Sequence, residues 1–276
     1  MAGRMRLRFS IGLLAAGMLA LTGCRDGQEA APPPPAASAD AATTGPAPGA
    51  AASDVDGVEP FVMKGVASTV TGEPIAGATV YARNTLVAYS NLRTVTDAAG
   101  RYRIELPRQD VTTWQAGGNV QRTYHGAHYD LILRNAGPPF GSGDGAVRNL
   151  VLELTGVSDP KYDIRVGEMV RLEADVPGGY WNATIELTMV PDGPLIDGST
   201  GQTLVKTVAD GHVNDVPIGR YAFTARWISD AGPVDLLLRV SHQGNWQPSV
   251  TAVIPDRSKD TLSLQAITPE AAADGT

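Results

Sequence analysis

The sequence predicts an all-β protein: two tandem β-sandwich domains that follow an exported leader and a disordered Ala/Pro-rich tether. Three observations predict it. Beyond residue 58, apolar side chains recur at every second position between Gly, Pro, Asn and Asp punctuation, which is the period of a strand with one buried face. No stretch carries the 3.6-residue period of an amphipathic helix of ordinary length. Cys24 is the only cysteine, so no disulfide closes within the chain and each module must hold together by its hydrophobic core.

Residues 1–23 form the leader. Arg4, Arg6 and Arg8 make a positive n-region, and Phe9 to Leu21 is apolar apart from Ser10. A helix over that stretch rises about 20 Å, short of the roughly 30 Å hydrocarbon core, so it reads as a cleaved signal rather than a membrane span. Leu21-Thr22-Gly23-Cys24 resembles the bacterial lipobox, which implies that Cys24 carries diacylglycerol; the alternative is an ordinary signal peptide with a stray thiol. Each buried methylene contributes about 0.8 kcal/mol, so two or more acyl chains anchor durably where one is marginal. Arg25 occupies the position where an aspartate commonly retains such lipoproteins in the inner membrane, and this resembles outer-membrane sorting.

Residues 24–58 form the tether. Gln28 to Asp56 is dominated by Ala, Pro, Gly, Ser, Thr and Asp, including Pro32-Pro33-Pro34-Pro35, with nothing large enough to build a core. It would span about 90 Å as polyproline II and about 30 Å as a flexible coil, which holds the first domain off the lipid.

Residues 59–157 form the first sandwich. Its clearest strand is Arg101 to Leu106, with Tyr102, Ile104 and Leu106 on one face and the charged residues on the other. Asp97-Ala98-Ala99-Gly100 reads as a turn in which Asp97 accepts backbone amides and Gly100 takes positive φ. Gly72-Glu73-Pro74 makes a similar break before the strand of Ala78, Val80 and Ala82. Further strands are expected at 63–68, 130–134 and 147–154. Residues 158–268 form the second sandwich. Val170, Leu172, Ala174 and Val176 alternate with charged residues, as do Ile185, Leu187 and Met189 with polar ones, and strands are expected at 220–228, 234–240, 249–254 and 261–266. Residues 269–276 are too small and polar to pack and read as a disordered tail.

Gly65-Val66, Gly72 to Val80 and Thr96-Asp97-Ala98-Ala99-Gly100-Arg101-Tyr102-Arg103-Ile104 resemble the carboxypeptidase regulatory-like domain, a prealbumin-like sandwich of seven strands. The resemblance covers residues 65 to 110, and Gly145 to Leu150 resembles a run in bacterial lipoproteins that carry this domain. It implies a non-catalytic role, because the module is an appendage without the zinc ligands of the carboxypeptidase it accompanies. The related hydroxyisourate hydrolases end in Tyr-Arg-Gly-Ser, which has no counterpart in residues 271–276.

The formal charge of −7, more negative without the leader arginines, opposes phosphate binding and excludes a nucleic-acid role. His125 and His128 share a metal only if the chain turns between them, since a three-residue step on a strand sends them to opposite faces. Gly141-Ser142-Gly143-Asp144-Gly145 lacks the lysine of a P-loop and the repeated carboxylates of a calcium loop, and reads as a turn. No catalytic residue, metal site or cofactor is expected. Trp114, Trp181 and Trp246 fall near turns beside Gly, Asn and Gln, an arrangement suited to stacking on a sugar ring while amides bond its hydroxyls; the competing reading is that these indoles cap the cores. Trp227 is expected in a core. The expectation is a lipid-anchored, non-catalytic binding protein of the bacterial cell envelope, with a glycan or envelope protein as ligand. An accessory subunit that pairs exposed sheet edges is the structural alternative, and an envelope hydrolase is the enzymatic one.

Overall fold

The computed structural model describes residues 57–87, 90–108, 112–135, 137–159, 161–162, 164–179, 183–256 and 258–274. The leader, Cys24 and nearly all of the tether lie outside them. The chain is all-β and forms two sandwich domains.

The first is built from β1 (Val62–Thr69), β2 (Thr79–Asn84), β3 (Asn91–Val95), β4 (Arg101–Glu105), β5 (Thr113–Tyr124), β6 (Ala127–Arg134), β7 (Phe140–Gly141), β8 (Ala146–Val147) and β9 (Leu150–Leu152), paired in the order β3-β2-β5-β6-β9-β1-β4. β1 serves both layers. Val62 to Val66 pair with β4, and Ala67 to Thr69 run parallel to β9. Alternation works as expected: Tyr102, Ile104 and Leu106 are buried, and Asp97 Oδ1 accepts the amides of Ala99 at 2.9 Å and Arg101 at 2.8 Å. Gly100 closes that turn at φ 71°, where an added Cβ would lie 2.4 Å from the Ala67 carbonyl oxygen.

A hairpin of β10 (Val157–Asp159) and β11 (Ile164–Arg165) follows. The second domain comprises β12 (Glu168–Asp175), β13 (Thr184–Pro191), β14 (Leu204–Thr207), β15 (His212–Val216), β16 (Arg220–Ser229), β17 (Gly232–Val240), β18 (Gln243–Gln247), β19 (Val250–Val253) and β20 (Leu262–Ile267). Residues 269–276, expected as a disordered tail, instead begin with a short helix, α1 (Pro269–Asp274). Thr268 caps it: its carbonyl accepts the Ala272 amide at 3.1 Å and its hydroxyl the Ala271 amide at 3.3 Å. No residue of α1 is fully buried, but Ala271 and Ala272 are half-buried and the helix lies against β17.

The second domain pairs in the order β14-β13-β16-β17-β20-β12-β15, which is the seven-strand path of the first repeated strand for strand. Local geometry repeats with it. Ala67 N–H donates to Gly100 O at 2.8 Å in one domain, and Leu172 N–H donates to Gly211 O at 2.9 Å in the other. Ala67 pairs in parallel with Leu150, and Leu172 with Leu264. Trp114 and Tyr221, both fully buried, open the equivalent strands β5 and β16. Core volume is redistributed between paired positions: Gly65 faces Tyr102 in the first domain, where Val170 faces Val213 in the second. The second module therefore shares its architecture with the first although its sequence shows no resemblance that names it.

The two domains touch through the tip of the β5–β6 hairpin. Tyr124 Oη donates to Pro194 O at 2.8 Å and accepts the Arg220 amide at 3.0 Å, and Tyr129 Oη donates to Ile254 O at 2.9 Å. Ile196 and Ile218 of the second domain join the hydrophobic core of the first. Burial raises the pKa of both tyrosines, so they stay protonated and able to donate at neutral pH.

Candidate functional site

The tryptophans named by the sequence fall in three different places. Trp114 is only 2% exposed, and its indole N–H donates to Ser142 Oγ at 2.7 Å. Its register, opposite Phe140, turns the ring inward. It is a core residue and has no face to offer a sugar. Trp181 lies outside the described residues. Trp246 sits on β18 and is half-buried, with the Arg239 guanidinium 4.2 Å from its ring centroid.

Trp246 belongs to a strand rather than to the loop its neighbours suggest. Ser241 and His242 take φ of 47° and 60° and make a two-residue turn, so that Gln243 to Gln247 fold back along β17. That hairpin places Trp246 at one end of a polar row across the outer sheet face. Arg239 Nε donates to Gln265 Oε1 at 2.7 Å, and Gln265 Nε2 meets His242 Nε2 at 3.3 Å. His242 Nε2 lies 3.8 Å from Glu173 Oε2. Register explains the row: Arg239 pairs with Gln265, and Gln265 with Glu173. Sequence reasoning missed Arg239, Gln265, His242 and Glu173. Their alternation with Leu238, Leu264 and Leu172 marks them as outward-facing, but their meeting depends on pairing between strands distant in sequence. A half-exposed indole braced by a guanidinium, beside an amide, an imidazole and a carboxylate, is equipped to stack on a ring and hydrogen-bond its hydroxyls.

Other candidates resolve as structure. The chain does turn between His125 and His128: His125 and Gly126 adopt φ of 45° and 81° in a two-residue hairpin, and His128 Nδ1 lies 3.0 Å from Thr123 Oγ1. Among the described residues no group of three or more His, Cys, Asp or Glu is placed to hold a metal ion. The 141–145 segment is a turn whose Ser142 carbonyl accepts the Phe61 amide at 2.9 Å. Gly145, at φ 62°, lies so close to the Glu59 carbonyl that a Cβ would stand 1.9 Å from its oxygen. Trp227, expected in a core, is half-buried and packs against the rim of the second one. A cleft of about 320 Å³ opens where the domains meet, with Leu152, Leu154 and Ile218 on its floor and Asp130, Glu153 and Asp256 among its polar groups. Burial opposes ionisation of Asp256, but hydrogen bonds from Ser258, with the charge of Lys259, hold its carboxyl below the usual range.

No protein-family model matches the chain, and no curated protein matches it. Solved structures similar to it include the shaft pilin SpaA of Lactobacillus rhamnosus GG, at 10% identity over 76% of this chain and 98% of that one, with a TM-score of 0.24. A B repeat unit of the collagen-binding surface protein of Staphylococcus aureus matches at 9% identity over 77% and 99% of the two chains, with a TM-score of 0.22. The major pilin of Streptococcus pyogenes matches at 10% identity over 75% and 98%, with a TM-score of 0.19. Superpositions this loose carry no argument about ligand or role.

Proposed function

We propose that the chain is a lipid-anchored, non-catalytic binding protein of the bacterial cell envelope, with domains at residues 59–157 and 158–268, whose ligand is a glycan seated on the outer face around Trp246. The observation that carries the reading is the indole of Trp246 held against Arg239 at 4.2 Å at the end of a hydrogen-bonded polar row. A sugar ring offers an apolar face to such an indole and hydroxyls to the row, and a rigid sheet presents both without reorganisation. The lipobox-like run before Cys24 supports the anchor, and Arg25 supports outer-membrane sorting. The carboxypeptidase regulatory-like resemblance of the first domain is supported by the Asp97 turn and by the inward face of Tyr102 and Ile104.

The test is retention of the purified chain on isolated cell-wall sacculi, with Trp246→Ala as the control. The reading expects most of the retention to be lost in the variant, and equal retention would overturn it. Cys24→Ser tests the anchor separately, with release from the membrane pellet as the expected result.

A second reading, an accessory subunit of an envelope assembly, draws on a different observation. The equivalent end strands β3 and β14 leave Val95 and Val205 60% and 56% exposed, and open edges of this kind pair with a partner's strand. Affinity purification that recovers a stoichiometric partner would favour it.

A further inference from the structure

We infer that the outer sheet face of the first domain is a second binding site, and that it takes a carboxylated sugar. Gly117 shapes this face. A Cβ there would lie 2.5 Å from Tyr81 Cε2 and 2.7 Å from its Oη, so the phenol ring lies flat across the glycine. Tyr81 is paired with Gly117 on one side and Arg93 on the other, and the next outward pair is Arg83 with Gln115. Arg83 is held by a hydrogen bond from its guanidinium to Gln115 Oε1. Arg134 completes the wall of a hollow of about 270 Å³ over this face.

Arg83 and Arg134 thus line the hollow with Tyr81, and Arg93 is its neighbour in register, on a chain whose formal charge is −7. Arg83 and Arg93 are exposed and have no carboxylate partner among the described residues. Arg134 has Glu153 Oε2 at 3.9 Å. That carboxylate faces the Nε of Arg134, whose Nη1 donates to Ser158 Oγ at 2.7 Å, so the guanidinium groups left without a carboxylate on this face are those of Arg83 and Arg93, while Asn135 Nδ2 in the wall has no hydrogen-bond acceptor. A planar ring stacks on the apolar face of a pyranose, while guanidinium forks match a carboxylate with two parallel hydrogen bonds. Charge complementarity therefore points to an acidic glycan. The site is independent of Trp246, which lies on the other domain. The equivalents of Tyr81 and Gly117 in the second domain are Thr188 and Thr224, paired with each other, so the second domain does not repeat this face.

The experiment is calorimetric titration of the full chain with oligogalacturonate and, in parallel, with its methyl ester, which keeps the rings and removes the charge. The expected result is saturable binding of the acid in preference to the ester, weakened at least about tenfold by Arg83→Gln and by Arg93→Gln. Gly117→Ala should weaken it as well, because the new methyl lifts the Tyr81 ring off the sheet. Absence of saturable binding to the acid, equal affinity for the ester, or unchanged affinity in both arginine variants would overturn the inference. Arg93 lies on an end strand, so its replacement tests the charge without disturbing the core.

Discussion

The phenol of Tyr124, at the tip of the longest strand of the first domain, accepts the backbone amide of Arg220 in the second at 3.0 Å. The same oxygen donates to Pro194 at 2.8 Å, so one side chain ties two separate segments of the neighbouring domain. Tyr129 adds a bond to Ile254 that is fully buried.

Tyr129→Phe should therefore destabilise the protein by about 1–3 kcal/mol, since it strands a buried carbonyl, and Tyr124→Phe by about 1 kcal/mol, since water can reach the groups it releases. Urea denaturation checks both. A Tyr129→Phe midpoint equal to wild type would argue against a fixed contact between the domains.

The buried pair of Trp114 and Ser142 makes a second prediction. Ser142→Ala removes the hydroxyl that accepts the indole N–H at 2.7 Å in a closed core and should cost about 1–3 kcal/mol. Retention on sacculi should be unaffected, because Trp114 has no exposed face. Loss of retention at full stability would return Trp114 to the binding surface.

Gly65 is tested by one added methyl. A Cβ there would lie 2.1 Å from the Arg148 carbonyl oxygen, to which the Tyr102 hydroxyl also donates. Gly65→Ala should lower stability by about 1–3 kcal/mol through overpacking. A variant as stable as wild type would show that the Arg148 backbone yields freely.

A pH dependence follows from Glu59. Its carboxylate takes both forks of Arg103, at 2.6 and 2.7 Å, and this hydrogen bonding, outweighing desolvation and aided by the Arg103 and Lys64 charges, holds its pKa below 4.5. A carboxylate depressed by folding contributes stability that is fully present above its unfolded pKa and is lost as pH falls through the folded value. The stability gap between wild type and Glu59→Gln should therefore be constant near neutrality and close below pH 4.5. A gap that stays constant into acid would show the pair to be without effect.

The parts of the fold legible in the sequence were those where one residue type has one structural use. Asp97 and Gly100 announce a turn, and Tyr102, Ile104 and Leu106 announce an inward face. β5 was missed because Gly117 and Gly118 interrupt its alternation; the strand forms there with Tyr81 lying over the gap left by Gly117. Once β5 is recognised, Trp114 falls on the buried face with Gly118 and Val120. β18 was missed because its turn uses Ser241 and His242 at positive φ, where glycine or asparagine would have signalled it. The repeat escaped notice because Asp210-Gly211 is shorter than the Asp97 turn and Val213 replaces the tyrosine that follows it. Pairing geometry, which conserves the hydrogen bonds of Gly100 and Gly211, is invisible to a residue-by-residue reading.

The role of the Trp246 face is tested most directly by following indole N–H resonances of the nitrogen-15-labelled chain during titration with soluble cell-wall oligosaccharides. The account predicts that the Trp246 signal moves in a saturable way while the Trp114 signal, sealed against Ser142, stays in place. A Trp246 signal that does not move while the sugar demonstrably binds would contradict it.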